Sequence, residues 1–473
     1  MTVAREARVV SLNLACAILT EAGAAIGLGH LTRCVALYDA FESLGVACRM
    51  VIAGENATHV TGVRQATERD WRSPGAVLGL TAECDVAVID SYAADSATYE
   101  SIAPSVAVPV YLDDTARLMY PRGVLVNANP DACGIEFRMS PETTTLLGVR
   151  YQLLRAEFVH AKPRENGLLV RTVLVASGGS NAGGVLEVMV AAAKRAFPEA
   201  RMDVVDSPRT AGEMRAAMEA ADIALSAAGQ TMYELAAMGV PAVAVCAAEN
   251  QAAQAAAFER AGAAIIAGSW SDAHLEEQLV TALNQLKLQS ARSTMSEAGQ
   301  ELVDGLGAER VAKHCVGLAL RRRIDLRPAT TGDENNLLAL ENESSVRSTA
   351  FQVAKIEPTE HAAWFAERLR DSETQMLLAY DGDALAGYVR FVLSGETAVV
   401  SIALAPPYRG LGLGTSILEA GITGLRSQHG WIRHVRAEVR ADNVSSMRMF
   451  ECAGFVRNDV GRGSDRVIYE RML

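Results

Sequence analysis

The chain has 473 residues, half of them hydrophobic and 21% charged, and a formal net charge of −12; that length calls for two or three domains and the composition excludes a disordered chain. The acidic balance argues against a general nucleic-acid surface, and basic clusters such as Arg321 to Arg323 are too short to reverse it. No apolar run reaches the roughly 18 residues of a membrane span, "MTVAREARVVSLNLACAIL" at the start lacks the pattern of a leader, and eight cysteines without a C-x-x-C pair point to a reducing cytoplasm with neither disulfides nor zinc.

Up to about residue 110, "VSLNLACAIL", "CRMVIAG", "CDVAVIDSY" and "VPVYLDD" read as strands alternating with helical patterns, the signature of a parallel sheet with crossover helices. "LLGVRYQLLRAEFVHAKPRENG" reads as a connection containing a strand or short helix. A second alternating series follows from about residue 170 with "RTVLVASGG", "RMDVVD", "ADIALSA" and "PAVAVCA". The basic triplet and the extended "IDLRPAT" mark a boundary near residue 320. Beyond it come the helices "ENNLLALENESSV" and "PTEHAAWFAERLR", the strands "QMLLAYDG", "ALAGYVRFVL" and "AVVSIALA", a glycine-rich turn and helix, the strand "HVRAEVRA", a helix ending at "CAGF", and the strand "RVIYERML". The fold expected is α/β: two Rossmann-like domains, 1–150 and 151–318, then a C-terminal α+β domain, 324–473. The cleft between the first two is the default ligand site, because strand C-termini and helix N-termini converge there.

Four turns carry the chemistry of that cleft. In "EAGAAIGLGHLTRCVALYDAF", Gly27 and Gly29 let a ligand approach the main chain, and the apolar spacing from Leu31 onward puts His30 at a helix start. There the unpaired N–H groups favour an anion; His30 reads either as a general base or as a turn cap. In "ADIALSAAGQTMYELAAMGVPAVAV", a strand ends at Ala227, Gly229 turns the chain, and a helix runs from about Gln230 to Gly239. Its start, with the Thr231 hydroxyl, suits a diphosphate; Glu234, a turn deeper, reads as a ribose ligand or as a dipole partner. "SGGSNAGG", containing Ser180, and "ENQAAQ", containing Asn250 and Gln251, are two further strand-to-helix turns. Tyr92 reads as a sugar contact or as packing. Asp113 and Asp114 read as sugar-binding or turn-capping residues, with no third ligand to make a metal site.

These turns resemble the nucleotide-sugar half of two-domain glycosyltransferases of the MurG kind, which implies a GT-B-type arrangement of the first two domains. The combination of Gly27, Gly29, His30 and Arg33 with "DSY", "DDTAR", "YQLLRAEF", "SGGS", "GQTMYEL" and "NQ" resembles the UDP-sugar hydrolases of pseudaminic acid biosynthesis over about 310 residues. The resemblance implies hydrolysis of UDP-2,4-diacetamido-2,4,6-trideoxy-β-L-altropyranose to the free sugar and UDP, without a metal and with His30 as base for the attacking water. Leu19 and Glu21 stand where members of that family often carry arginine and aspartate.

"VVSIALAPPYRGLGLGTSILEAGI" joins a strand to a helix through Arg409, Gly410, Gly412 and Gly414, the R-x-x-G-x-G/A pattern of GNAT acetyltransferases. Closely spaced glycines let successive N–H groups converge on the pyrophosphate of coenzyme A, and Arg409 adds a charge. "VRADNVSSMRMFECAGF" matches the downstream helix of that family, with Asn443 near the coenzyme and Phe450 where many members place a tyrosine acid. "NESSVRSTAF" and "EHAAWF" resemble acceptor-side segments of the acetyltransferase preceding the hydrolase, with Arg347, His361 and Trp364 as candidates. The implied enzyme is bifunctional. It would use acetyl-CoA as co-substrate, with Leu404 orienting the thioester carbonyl, to acetylate a UDP-4-amino sugar, and would then hydrolyse the product. No nucleic acid or membrane partner is expected, and the oligomeric state stays open. Two other readings remain: a glycosyltransferase using the same cleft, and a hydrolase carrying a coenzyme-binding module without transfer activity.

Overall fold

The computed structural model describes residues 12–23, 29–54, 63, 65–159, 161–177, 184–207, 209–248, 251–458 and 465–473. The chain divides into two compact units, Met1–Cys315 and Val316–Leu473.

The first unit is built on two parallel sheets. One contains β1 (Ala15–Glu21), β2 (Ala47–Ala53), β3 (Ala66–Glu68), β4 (Val86–Asp90), β5 (Val108–Leu112), β7 (Gly123–Asn127) and β9 (Thr143–Leu147), in the order β3-β2-β1-β4-β5-β7-β9. A two-stranded ladder of β6 (Met119–Tyr120) and β8 (Arg138–Met139) lies apart from it. The other sheet contains β10 (Thr172–Ala176), β11 (Arg201–Val205), β12 (Ile223–Ala227), β13 (Ala242–Cys246) and β14 (Ile265–Ser269), in the order β11-β10-β12-β13-β14. Central strands such as β4, β5, β10 and β12 are buried along their whole length. This is what a sheet covered by helices on both faces demands, and it explains why these strands read as unbroken apolar runs. Two apolar cores show the two-sided burial in the second sheet: Leu174, Ala224 and Ala244 belong to one, while Val173, Leu225 and Val243 belong to the other. Alternate residues of each strand therefore serve opposite faces.

The connection after β9 contains two short 3-10 turns, Val149–Tyr151 and Ala156–Phe158. The helix Gly307–Arg323 crosses the division between the units without a break. The gap expected between residues 318 and 324 thus falls inside this helix, where Val316, Ala319 and Leu320 are fully buried. Its arginine triplet occupies the last turn, where positive charge complements the helix dipole.

In the second unit, β15 (Asp325–Pro328), β16 (Thr374–Asp381), β17 (Ala384–Ser394), β18 (Thr397–Leu404), β19 (His434–Arg440), β20 (Val456–Asn458) and β21 (Arg466–Met472) form one mixed sheet, in the order β15-β16-β17-β18-β19-β21-β20. Its one parallel contact, β18 with β19, runs only from Thr397↔His434 to Val400↔Ala437. Past Val400, β18 continues to pair with β17, and β19 continues to pair with β21. The two middle strands therefore part, and the backbone of Ser401–Leu404 faces the gap.

Candidate functional site

In the first unit, β4 ends in Asp90, and the helix Gly29–Ser43 begins beside it. Asp90 is fully buried, and its Oδ1 lies 2.6 Å from His30 Nδ1. Arg33, one turn along the same helix, donates from Nε to Asp90 Oδ2 at 2.6 Å and from Nη1 to Asp114 Oδ2 at 2.5 Å. Burial alone would raise the Asp90 carboxyl, but Arg33 and the His30 contact hold it below the ordinary aspartate range. Arg33 Nη2 also lies 3.3 Å from Nδ1, but the closer carboxylate favours a proton on that nitrogen and leaves Nε2 as the acceptor. Nε2 carries no hydrogen bond among the described residues. The Tyr92 ring meets His30 edge-on at 4.3 Å, and its hydroxyl donates to Asp114 at 3.0 Å. Asp113 faces the other way: it accepts from the Thr115 and Ala116 N–H groups and closes the turn that presents Asp114.

The facing part of the site comes from the second sheet. Gly229 is the N-cap of the helix Gln230–Ala237. Gln254 donates to the Ala228 and Gly229 carbonyls at 3.0 and 2.9 Å, fixing the turn. Gln152, from the connecting segment, donates to Gln230 Oε1 at 2.9 Å. Between these groups lies a cavity of about 310 Å³, lined by Arg33, Tyr92 and Asp114 on one side and by Gly229, Gln230 and Gln251 on the other. Its volume falls in the range of small-molecule sites.

Thr231 and Glu234 do not line that cavity. Glu234 is 4% exposed and accepts from Arg155 Nη2 at 2.8 Å. Burial raises its carboxyl above the usual glutamate range, and Arg155 opposes the shift. Gly27, Ser180 and Asn250 lie outside the described residues. Sequence reasoning gave no role to Asp90, Arg155 or Gln152. Asp90 and Arg155 stand in the motifs "DSY" and "YQLLRAEF", and a polar residue closing an apolar strand was the available signal for Asp90. Among the described residues, no group of three His, Cys, Asp or Glu side chains could hold a metal ion, and no helix is long and apolar enough to cross a membrane.

In the second unit, Gly410 and Gly412 have φ of 72° and 73°, a left-handed turn that opens the helix Leu413–Gln428. Such a turn aims successive N–H groups into one concavity. The Arg409 side chain turns back into the protein, donating to the Leu404 carbonyl at 2.8 Å and to Ser345, with Glu343 at 3.5 Å. Asn443 accepts from the Ser446 N–H as an N-cap. Phe450 is buried against Phe455 and Tyr469. Arg347 donates to the Ala354 carbonyl. His361 is 1% exposed and stacks on Phe365, 3.9 Å from Glu341. Burial pushes its imidazole below the ordinary histidine range.

Residues 340–455 match the acetyltransferase (GNAT) family, and residues 187–311 match the glycosyltransferase family 28 C-terminal domain. A curated relative from Helicobacter pylori, named pseudaminic acid cytidylyltransferase and UDP-2,4-diacetamido-2,4,6-trideoxy-beta-L-altropyranose hydrolase, is 25% identical over 264 residues, 52% of this chain. This chain spans about half of that relative's length, 47%. A relative from Bacillus subtilis, named uncharacterized N-acetyltransferase YfmK, is 30% identical over 104 residues, 22% of this chain and 68% of its own. A solved spermidine N-acetyltransferase from Vibrio cholerae, in complex with CoA and spermine, is 18% identical over 32% of this chain and 96% of its own, with a TM-score of 0.29.

Proposed function

Because the chain belongs, through its C-terminal unit, to the GNAT acetyltransferase family, we propose that it performs two successive reactions on a UDP-linked amino sugar. The first is N-acetylation, by acetyl-CoA, of the 4-amino group of a UDP-4-amino-4,6-dideoxy-N-acetyl-altrosamine-type sugar. The second is hydrolysis of the resulting UDP-2,4-diacetamido-2,4,6-trideoxy sugar to the free sugar and UDP. The name of the Helicobacter pylori relative supports the sugar, and the GNAT match supports the acetyl donor.

The observation that carries the hydrolytic reading is the His30–Asp90 pair. Water approaches the anomeric carbon on the face opposite UDP. As its oxygen bonds to that carbon, the bond to the diphosphate oxygen breaks and UDP leaves with the electron pair. His30 Nε2 takes the water proton, while Asp90 holds the imidazole tautomer and faces the imidazolium that forms. The product is inverted. The start of the helix Gln230–Ala237 meets the departing diphosphate with main-chain N–H groups. Arg33, Tyr92 and Asp114 face the sugar.

For acetyl transfer, the neutral amine attacks the thioester carbonyl in the gap between β18 and β19. The C–N bond forms, the C–S bond breaks, the nitrogen gives up one proton as it becomes an amide, and the departing thiolate takes one up. Phe450 has no proton to give at that step.

A second reading rests on the family 28 match: the same cleft would deliver the sugar to an acceptor other than water. Incubating the purified protein with the diacetamido UDP-sugar and no acceptor separates the two. Steady release of UDP supports hydrolysis, and turnover that starts only with an added acceptor overturns it.

A further inference from the structure

We infer that Arg321, which lies outside the glycine motif, is the cation that meets the phosphates of the coenzyme; this rests on the GNAT reading of the second unit. Its Nη2 donates to the Gly412 carbonyl at 3.3 Å, and Arg321 is exposed. The glycines of this turn keep side chains out of the space an anion would take. A Cβ built on Gly412 would meet Arg321 Nη2 at 2.7 Å before any other heavy atom. The guanidinium therefore occupies the face that glycine keeps open.

The approach is built into the helix. Gly317 and Arg321 lie four residues apart, on one face of Gly307–Arg323. A Cβ at Gly317 would collide with the Leu411 carbonyl, so this helix packs on the turn through bare backbone. One turn later Arg321 reaches Gly412.

Charge gives the second argument. The helix Leu413–Gln428 has no acidic residue in its first turn, and a cation at its N-terminus opposes the helix dipole. No carboxylate pairs with Arg321 among the described residues, whereas Arg409, the motif arginine, is held by Leu404, Ser345 and Glu343. An anion bound at the turn relieves that opposition, and Arg321, already at Gly412, is placed to bind it.

The test is calorimetry on the full chain with acetyl-CoA, acetyl-dephospho-CoA and S-acetyl-pantetheine. Arg321→Ala should weaken acetyl-CoA by about 10- to 100-fold, the range of a charge-assisted hydrogen bond. Arg321→Lys should recover most of the loss, and Arg322→Ala should bind as the wild type does. A loss that persists with the dephospho compound assigns the contact to the pyrophosphate; one that disappears assigns it to the 3′-phosphate. Unchanged affinity in Arg321→Ala overturns the inference. So does an equal loss with the pantetheine, which lacks phosphates and would report a distorted turn. A wild type that binds none of the three overturns the coenzyme reading itself.

Discussion

His30 and Asp90 are 60 positions apart in the chain and 2.6 Å apart in space, and the chemistry proposed for the cleft depends on that contact. Replacing His30 by Asn should lower hydrolysis by about 10²- to 10⁴-fold, the usual worth of a general base, with UDP affinity nearly intact. Asp90→Asn should produce a loss in the same range, because an amide can donate to Nδ1 and so favour the wrong tautomer. The check is a split between kcat and UDP affinity: Asp90→Asn should lower kcat while calorimetry with UDP stays near the wild-type value. Loss of UDP binding in step with kcat would mean that Asp90 only holds the fold. His30 at a helix start could be read from the glycine spacing and apolar periodicity. Asp90 was marked only as a polar residue closing an apolar strand; its pairing with His30, across 60 residues, leaves no trace in local pattern.

At the scale of elements, apolar or alternating runs bounded by turns were legible, the half-buried β11 and β19 among them. β1, β4, β10, β12 and β13 are apolar runs, and the turn from Ala227 through Gly229 to Gln230 lies where its residues indicate. β3 ("ATE") and β9 ("TTTLL") were missed because both are half-exposed and short of apolar residues. β7 was missed although it is apolar, because no α-helix separates it from β5 or from β9; β14 was missed although the helices Ala252–Arg260 and Leu275–Gln285 flank it. In the second unit, the close packing of Gly317 on Leu411 gives a direct test of how the coenzyme turn is supported. Gly317→Ala should cost roughly 1–3 kcal/mol from overpacking, seen in thermal unfolding, and should weaken acetyl-CoA at the same time. A second element-level test concerns the cap where the chain enters this unit. Asp333 accepts from Arg327, the Thr330 N–H and the Tyr380 hydroxyl, chiefly the guanidinium, and these hold its carboxyl well below the aspartate range. A depressed folded-state pKa contributes stability above the unfolded value of about 3.9 and loses it as pH falls toward the folded value. The melting-temperature gap between wild type and Asp333→Asn should therefore be full at neutral pH and close in acid; a gap independent of pH would contradict this.

For the whole molecule, the position of the division governs how the two chemistries can be separated. A fragment starting at residue 324 discards Val316, Ala319 and Leu320, all fully buried, together with Gly317 and Arg321. Circular dichroism should show cooperative unfolding for residues 316–473 and a lower or absent transition for 324–473, and calorimetry should find acetyl-CoA binding only in the longer fragment. Equal behaviour of the two would remove the last turns of this helix from the second unit. The basic triplet and the extended "IDLRPAT" marked a boundary near residue 320, and the apolar residues just before the triplet, "CVGLAL", carry a helical core face to residue 320. The central claim is that one chain acetylates a UDP-amino sugar and cleaves the product with water. It is tested most directly by giving the purified protein the UDP-4-amino sugar and acetyl-CoA in H₂¹⁸O, with no other acceptor, and following sugar and nucleotide by mass spectrometry. The result predicted is acetylated sugar released together with unlabelled UDP, and with His30→Asn the acetylated UDP-sugar accumulates intact; acetylation without any UDP release from the wild type, or ¹⁸O in the UDP phosphate, would contradict the account.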